Sequence, residues 1–192
     1  TISRVKHFYV QDELTKSRLL KLKVPVNKIT IAGNLKLVPP KTPIIERSKY
    51  LLHNKDNPGI KTIAFGNIHP AELKGVKEVI CDVRQRVKNV RFILVPRHFE
   101  KYDEKMILTT FGSNLKIVQK LSSVLPSDSI LWIGAMGVLE TVYSQSDVAI
   151  VLGTFCDVGG HDLVEPVHLG AITLYGPSIE KQLALHAKIS ER

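Results

Sequence analysis

Residues 148–177 read VAIVLGTFCDVGGHDLVEPVHLGAITLYGP, and the spacing within this stretch decides the fold class. It opens on an unbroken apolar run, Val148 to Leu152, crosses a glycine-rich junction and returns to an apolar run at Ile172 to Tyr175. Between the two, a short segment of helical period from about His161 to Leu169 stops at Gly170, the residue type that most readily takes the left-handed conformation ending a helix. Two strands joined through a helix form a βαβ unit, and such units build parallel sheets.

The same alternation extends back to Lys61. Strands are predicted at Thr62 to Phe65, Val90 to Val95, Leu115 to Val118 and Ile130 to Ile133. Most of these runs lack polar alternation, as expected of strands covered by helices on both faces. Leu73, Val76, Val79, Ile80, Val83 and Val87 recur at spacings of three and four, which places them on one helical stripe. A further helix is predicted to start near Met136 and to carry Leu139, Val142 and Tyr143 inward. The fold class is therefore α/β, a Rossmann-like parallel sheet with helices on both faces. Residues 1–40 read as a separate unit, with a strand at His7 to Val10, a helix over Glu13 to Leu22 and a strand at Ile29 to Ala32. Pro39, Pro40 and Pro43, and then Asn54 to Gly59, interrupt regular structure, so residues 41–60 are expected to link that unit to a domain over 61–192.

Composition narrows the function classes. The net charge of +9 resembles a nucleic-acid footprint, but residues 1–60 hold 12 Lys or Arg against 4 Asp or Glu, leaving 15 against 14 in the rest. The excess belongs to the first segment, where only Phe8, Tyr9 and Tyr50 offer stacking surfaces, so no nucleic-acid partner is expected. Cys81 and Cys156 are too few and too far apart for a disulfide framework. No apolar stretch approaches the roughly 20 residues that span a bilayer, and the chain as given is expected to be soluble.

Ligands of open parallel sheets bind at the carboxyl ends of the strands. The first strand there leads into Asn67 and His69, with Glu72 one turn on; this junction suits an anion at a helix start, or else Asn67 caps the helix and His69 is simply exposed. The second ends in Val95-Pro96-Arg97-His98, which sets a cation and an imidazole at the mouth of the sheet. The fourth ends in small residues through Met136, Gly137 and Val138, which suit close backbone approach to a ligand or tight packing of strand on helix. The fifth is the most informative. Gly159 and Gly160 free the backbone to turn, His161 follows, and Asp162 and Glu165 lie three apart, hence on one helical face. A carboxylate there can accept both hydroxyls of a ribose; the alternative is a helix cap with a solvated glutamate.

VPRH at 95–98, GAMGVLETVY at 134–143, VLGTFCDVGGHDLVEPVHLGAITLYGP at 151–177, FYVQDELTKSRLLKL at 8–22 and ITIAGNLKL at 29–37 together resemble the lipid A Kdo (3-deoxy-D-manno-octulosonic acid) transferase family. GGHxxxEP in order with VPRH and GNLK is specific, and the match spans nearly the whole chain. The resemblance implies the C-terminal half of a GT-B glycosyltransferase, with residues 1–40 crossing over from the N-terminal domain and 61–192 as a C-terminal domain truncated at its end. It implies a CMP-Kdo donor held by Pro96 and Arg97, by Met136, Gly137 and Val138, and by Asp162, Leu163, Val164 and Glu165. It further implies a lipid A precursor as acceptor, no cofactor, no metal and an inverting reaction. The catalytic base lies in the N-terminal domain, so no catalytic residue falls on this chain and the fragment is expected to bind donor without transferring it. The implied location is the cytoplasmic side of the bacterial inner membrane, where Lys16, Arg18, Lys21 and Lys23 would meet an anionic surface. The family commonly has Ser at Asn67, a flexible residue at Pro70, Asp at Gly134, Glu at Val138 and Asn at Asp162. The last departure sets a carboxylate beside a phosphate, which weakens binding unless Asp162 faces the sugar or finds a positive partner. Another GT-B enzyme, an epimerase or UDP-sugar transferase, would use the same junctions and is told apart by the base it recognises.

Overall fold

The computed structural model describes residues 2–38, 59–112, 114–118 and 130–190. These form two compact units, 2–38 with 184–190 and 59–183. The expected linker over 41–60, and Tyr50 with it, falls outside the described residues except for its last two.

In the first unit, strand β1 (Phe8–Val10) pairs in parallel with β2 (Ile29–Ile31) across helix α1 (Glu13–Lys21). Asp12 starts α1 by accepting from the Thr15 amide at 2.6 Å, and hydrogen bonds from Thr15 hold its carboxyl below the ordinary carboxylate range. Val10, Val24 and Ile29 form a small core with Phe8 and Leu19 against it.

The second unit is built on six parallel strands: β3 (Lys61–Ile68), β4 (Val90–Pro96), β5 (Leu115–Val118), β6 (Ile130–Ile133), β7 (Val148–Val151) and β8 (Ile172–Tyr175). Their order is β5-β6-β4-β3-β7-β8. The chain first builds to one side of β3 and then returns to its other side, so the order reverses between β3 and β7. Although the strands are apolar throughout, their period of two still sorts residues between two cores. Phe65, Phe92, Leu94 and Trp132 join α2 (Leu73–Arg86) and α3 (Glu104–Phe111) on one face. Ala64, Ile93, Leu131 and Ile133 meet Val142 and Tyr143 of α4 (Leu139–Ser144) on the other, where Leu169 at the end of α5 (Val164–His168) also packs.

Five expectations need correction. On α2, Leu73, Val76 and Ile80 are buried, but Val79 and Val87 are 40% and 44% exposed, because the stripe is narrower than the apolar sequence. Helix α4 starts at Leu139 rather than near Met136, since Gly137 takes a φ of +72°, which a right-handed helix cannot contain. Helix α5 is limited to Val164–His168, so Asp162 lies before it and shares no helical face with Glu165. Finally, β8 is an edge strand with Ile172 and Leu174 exposed, so its apolar run is not covered on both faces. Gly170 does end the helix region at a φ of +83°. The last helix, α6 (Leu183–Ser190), contributes its residues from 184 onward to the first unit rather than to the sheet domain expected over 61–192.

Candidate functional site

The reversal between β3 and β7 opens a crevice at their carboxyl ends, and a buried carboxylate ties its two sides together. Glu72, 6% exposed, follows β3 and accepts from the His69 amide at 3.1 Å. Its oxygens also accept from the Gly153 amide at 2.8 and 2.9 Å and from the Phe155 amide at 3.2 Å, both just beyond β7. One side chain thereby satisfies amides of two loops, the buried Gly153 amide and the part-buried amides of His69 and Phe155. Thr154 holds the next turn, donating to the Val151 carbonyl at 2.6 Å and accepting from the Gly176 amide at 2.8 Å. Tyr102 donates to the Ile68 carbonyl at 2.7 Å, fixing the end of β3.

Asn67 does not cap a helix. It stands in the left-handed region at a φ of +60°, where the pairing of β3 with β4 slips between Gly66 and Ile68. This bulge turns Asn67 into the cleft beside the strand ends. Asn tolerates that conformation better than most residues. Gly66 before it is required for a different reason: a Cβ there would collide with the Tyr143 hydroxyl. That hydroxyl is buried without a hydrogen-bond partner, and burial pushes its pKa well up.

The cleft itself has a volume of about 270 Å³. Pro96 and Arg97 enter it from β4, Met136, Gly137 and Val138 from the turn after β6, and Glu165 from α5. Arg97 is exposed over it and, among the described residues, pairs with no carboxylate, while Met136 is 68% exposed at the rim. A guanidinium, a glycine-containing turn and a carboxylate around one cleft suit a phosphate, a close backbone approach and a pair of hydroxyls.

The other expected residues are arranged around this cleft rather than along it. Asp162 lies two residues before α5 and accepts from the Val164 amide at 3.0 Å in a local turn. Leu163 and Val164 are core residues at 0% and 3% exposure. His98 faces Glu100, with Nδ1 and Oε1 3.3 Å apart. Gly159 and Gly160 both have positive φ and carry the chain to His161, and the Gly160 amide donates to the Gly153 carbonyl at 2.9 Å. His161 meets His69 with Nε2 to Nε2 at 2.8 Å and ring planes 13° apart. Burial, and then the neighbouring charges of His69, Arg97, Lys181 and His98, push the His161 pKa down to about 4. Burial also lowers that of His69. The reading of separate junctions missed this pairing and the stapling role of Glu72; the spacing His69-x-x-Glu72 was the local signal for the second.

No protein-family model matches the chain. It is 36% identical over 181 residues to the 3-deoxy-D-manno-octulosonic acid transferase of Chlamydia muridarum, covering 92% of this chain and 41% of that protein. It is 30% identical over 193 residues to the enzyme of the same name from Chlamydophila psittaci, covering 97% and 43%. A bifunctional glycosyltransferase/methyltransferase of Fusobacterium nucleatum is 30% identical over 199 residues, which are 100% of this chain and 30% of that protein. Among solved structures, the C-terminal CMP-Kdo binding domain of WaaA from Acinetobacter baumannii superposes with a TM-score of 0.60 at 23% identity, covering 69% of each chain, a likeness of fold. Matched along nearly its whole length by transferases of one name, and spanning about two fifths of theirs, the chain belongs to the 3-deoxy-D-manno-octulosonic acid transferase family.

Proposed function

We propose that this chain is the donor-binding part of an enzyme that moves Kdo from CMP-Kdo to a lipid A precursor. The observation that carries this reading is the convergence of Arg97, the turn over Met136 to Val138 and Glu165 on one cleft at the carboxyl ends of the strands. In this role Arg97 pairs with the phosphate, the backbone of the turn approaches it closely, and Glu165 accepts from the ribose hydroxyls. Asn67 lines the same cleft, positioned by its bulge. In this reading the Asp162 carboxylate is turned to the Val164 amide, from which it accepts at 3.0 Å.

The departing CMP gains negative charge as the glycosidic bond breaks, and fixed donors around its phosphate favour that step without a metal. The acceptor hydroxyl needs a base, which this reading places in a part of the enzyme outside this chain, so the chain binds donor and does not transfer it. The exposed cations Arg18, Lys21 and Lys23 face an anionic membrane surface on the cytoplasmic side of the inner membrane. Lys16 contributes less, since it lies 3.6 Å from Glu13. No described helix is long and apolar enough to cross a membrane.

Calorimetric titration with CMP, CDP, UMP and UDP tests the reading. Preference for CMP is the expected result; preference for UDP would sink it and favour another GT-B enzyme.

A further inference from the structure

Among the described residues, four polar side chains line the cleft, Asn67, Arg97, Glu140 and Glu165, and Asn67 is the one that the fold buries, at 7% exposure. Its carboxamide carries a donor and an acceptor, and neither makes a hydrogen bond to another described residue. Arg97 and Glu140 are exposed and can turn to water; a buried carboxamide without partners carries a cost.

The backbone aims this group at the cleft. Phe65 and Ile68 pack into the same core although they are three apart, so β3 holds one residue more than a period of two allows. The extra residue falls where Gly66 pairs with Val95 and Ile68 with Pro96, which leaves Asn67 unpaired at a φ of +60°. Tolerance of the left-handed region makes asparagine possible there, but glycine would fit as well. The carboxamide itself needs another reason.

Arg97 indicates which part of a ligand lies beside it. Its amide donates to the Ile68 carbonyl at 3.1 Å, so Asn67 and Arg97 leave neighbouring strands on either side of the Ile68–Pro96 pair. An oxyanion held by the guanidinium is then a neighbour of the carboxamide as well. Phosphate only accepts, so it satisfies the NH2 group and leaves the buried carbonyl unpaired. A hydroxyl next to the phosphate supplies the missing donor. With Glu165 accepting from the ribose, that hydroxyl belongs to the sugar on the other side of the phosphate.

We propose that Asn67 reads the junction of phosphate and sugar in the donor, its NH2 group donating to a phosphate oxygen beside Arg97 and its carbonyl accepting from a hydroxyl of the transferred sugar. Resting on the nucleotide reading of the cleft, this contact extends it to the sugar.

The test is calorimetry of the wild-type chain, Asn67→Gly and Asn67→Asp with cytidine, CMP and CMP-Kdo, beside thermal melts without ligand. Asn67→Gly removes the carboxamide from a backbone that glycine adopts freely, so it should melt at about the wild-type temperature. Its cytidine affinity should match that of wild type. Its CMP affinity should fall on the order of tenfold, the loss of one hydrogen bond to a charged group, and its CMP-Kdo affinity by a further factor of about five, the loss of a neutral one. Asn67→Asp keeps the size and the acceptor but sets a negative charge against the phosphate, so CMP should suffer more than in the glycine variant. Should the glycine variant melt lower, the aspartate variant, of equal size, carries the same comparison of cytidine with CMP. An equal loss for cytidine and CMP would put Asn67 on the nucleoside and overturn the proposal. Equal losses for CMP and CMP-Kdo in Asn67→Gly would overturn it too, since they leave no contact to the sugar, and so would unchanged CMP binding in both variants. If the wild-type chain itself does not bind CMP, the nucleotide reading fails and takes the contact with it.

Discussion

Removing the Glu72 carboxylate should destabilise the sheet unit more than any surface change of similar size. The side chain is 6% exposed and receives amides from His69, Gly153 and Phe155. Glu72→Ala leaves these donors without their acceptor in a place that water reaches poorly. Each unpaired amide costs about 1–3 kcal/mol, but relaxation makes the costs less than additive, so roughly 3–5 kcal/mol is expected in total. Glu72→Gln keeps one acceptor oxygen and turns an NH2 group toward donors, so about 2–3 kcal/mol should be lost despite equal volume. For a unit of this size those values correspond to a fall in Tm of roughly 10–20 °C for Ala and about half that for Gln. Circular dichroism melts of the three proteins measure it. A Tm unchanged within 2 °C in both variants would show that the carboxylate does not hold the two loops together. Loss of nucleotide binding with no loss of stability would make Glu72 a ligand contact instead of a staple.

Glu165→Gln should weaken CMP binding by about 1–2 kcal/mol, with a smaller loss for 2′-deoxy-CMP, whereas Arg97→Ala should reduce the affinity for CMP and spare cytidine; calorimetry with the three ligands separates the roles. Tyr143→Phe should be neutral or stabilise slightly in chemical denaturation, since the hydroxyl it removes is buried without a partner, while Gly66→Ala should cost more than about 2 kcal/mol by forcing a Cβ onto that hydroxyl. The pH profile follows from His161, whose pKa near 4 in the fold lies below its ordinary 6.5. The unfolded chain binds more protons between those values, so stability falls as pH drops from about 6.5 to 4. The ring is partly exposed, which discounts the effect to about 1–2 kcal/mol, and His161→Gln should flatten a urea-midpoint profile between pH 7 and 4.5. Sedimentation with anionic vesicles at low salt should retain the chain through Arg18, Lys21 and Lys23 and release it at high salt; equal binding to neutral vesicles would leave those cations as a solubilising surface.

The strands were legible because their signal is local. β5, β6 and β8 coincide with the runs read from the sequence, and β4 extends its run only by Pro96. Helix starts were less legible, for a reason visible at two of them. Gly137 looked like a small residue at a helix N-terminus, but its positive φ belongs to a turn that delays α4 until Leu139. Asp162 looked like a residue of α5, but its short carboxylate bonds more readily to the Val164 amide ahead of the helix, and that bond sets where the helix begins. The bulge at Asn67 gave no sequence signal beyond Gly66-Asn67, because a bulge is a property of the pairing and not of one strand.

The site shows the same division at longer range. Arg97, Gly137 and Glu165 each had an ordinary explanation when read alone, as a solvated cation, a packing glycine and an exposed carboxylate. Their meeting depends on the strand order, which places β3 between β4 and β7 and so gathers the exits of separate βαβ units around one crevice. Glu72 reaches amides 81 and 83 residues away, and His69 reaches an imidazole 92 residues away. No periodicity within either segment encodes such a contact. The positions were legible from the rule that ligands of parallel sheets lie at strand ends; the contacts were not, because they come into being only when β7 returns to the side of β3 that β4 left open. The same return brings the Glu72 carboxylate onto amides of both loops, His69 beyond β3 and Gly153 and Phe155 beyond β7.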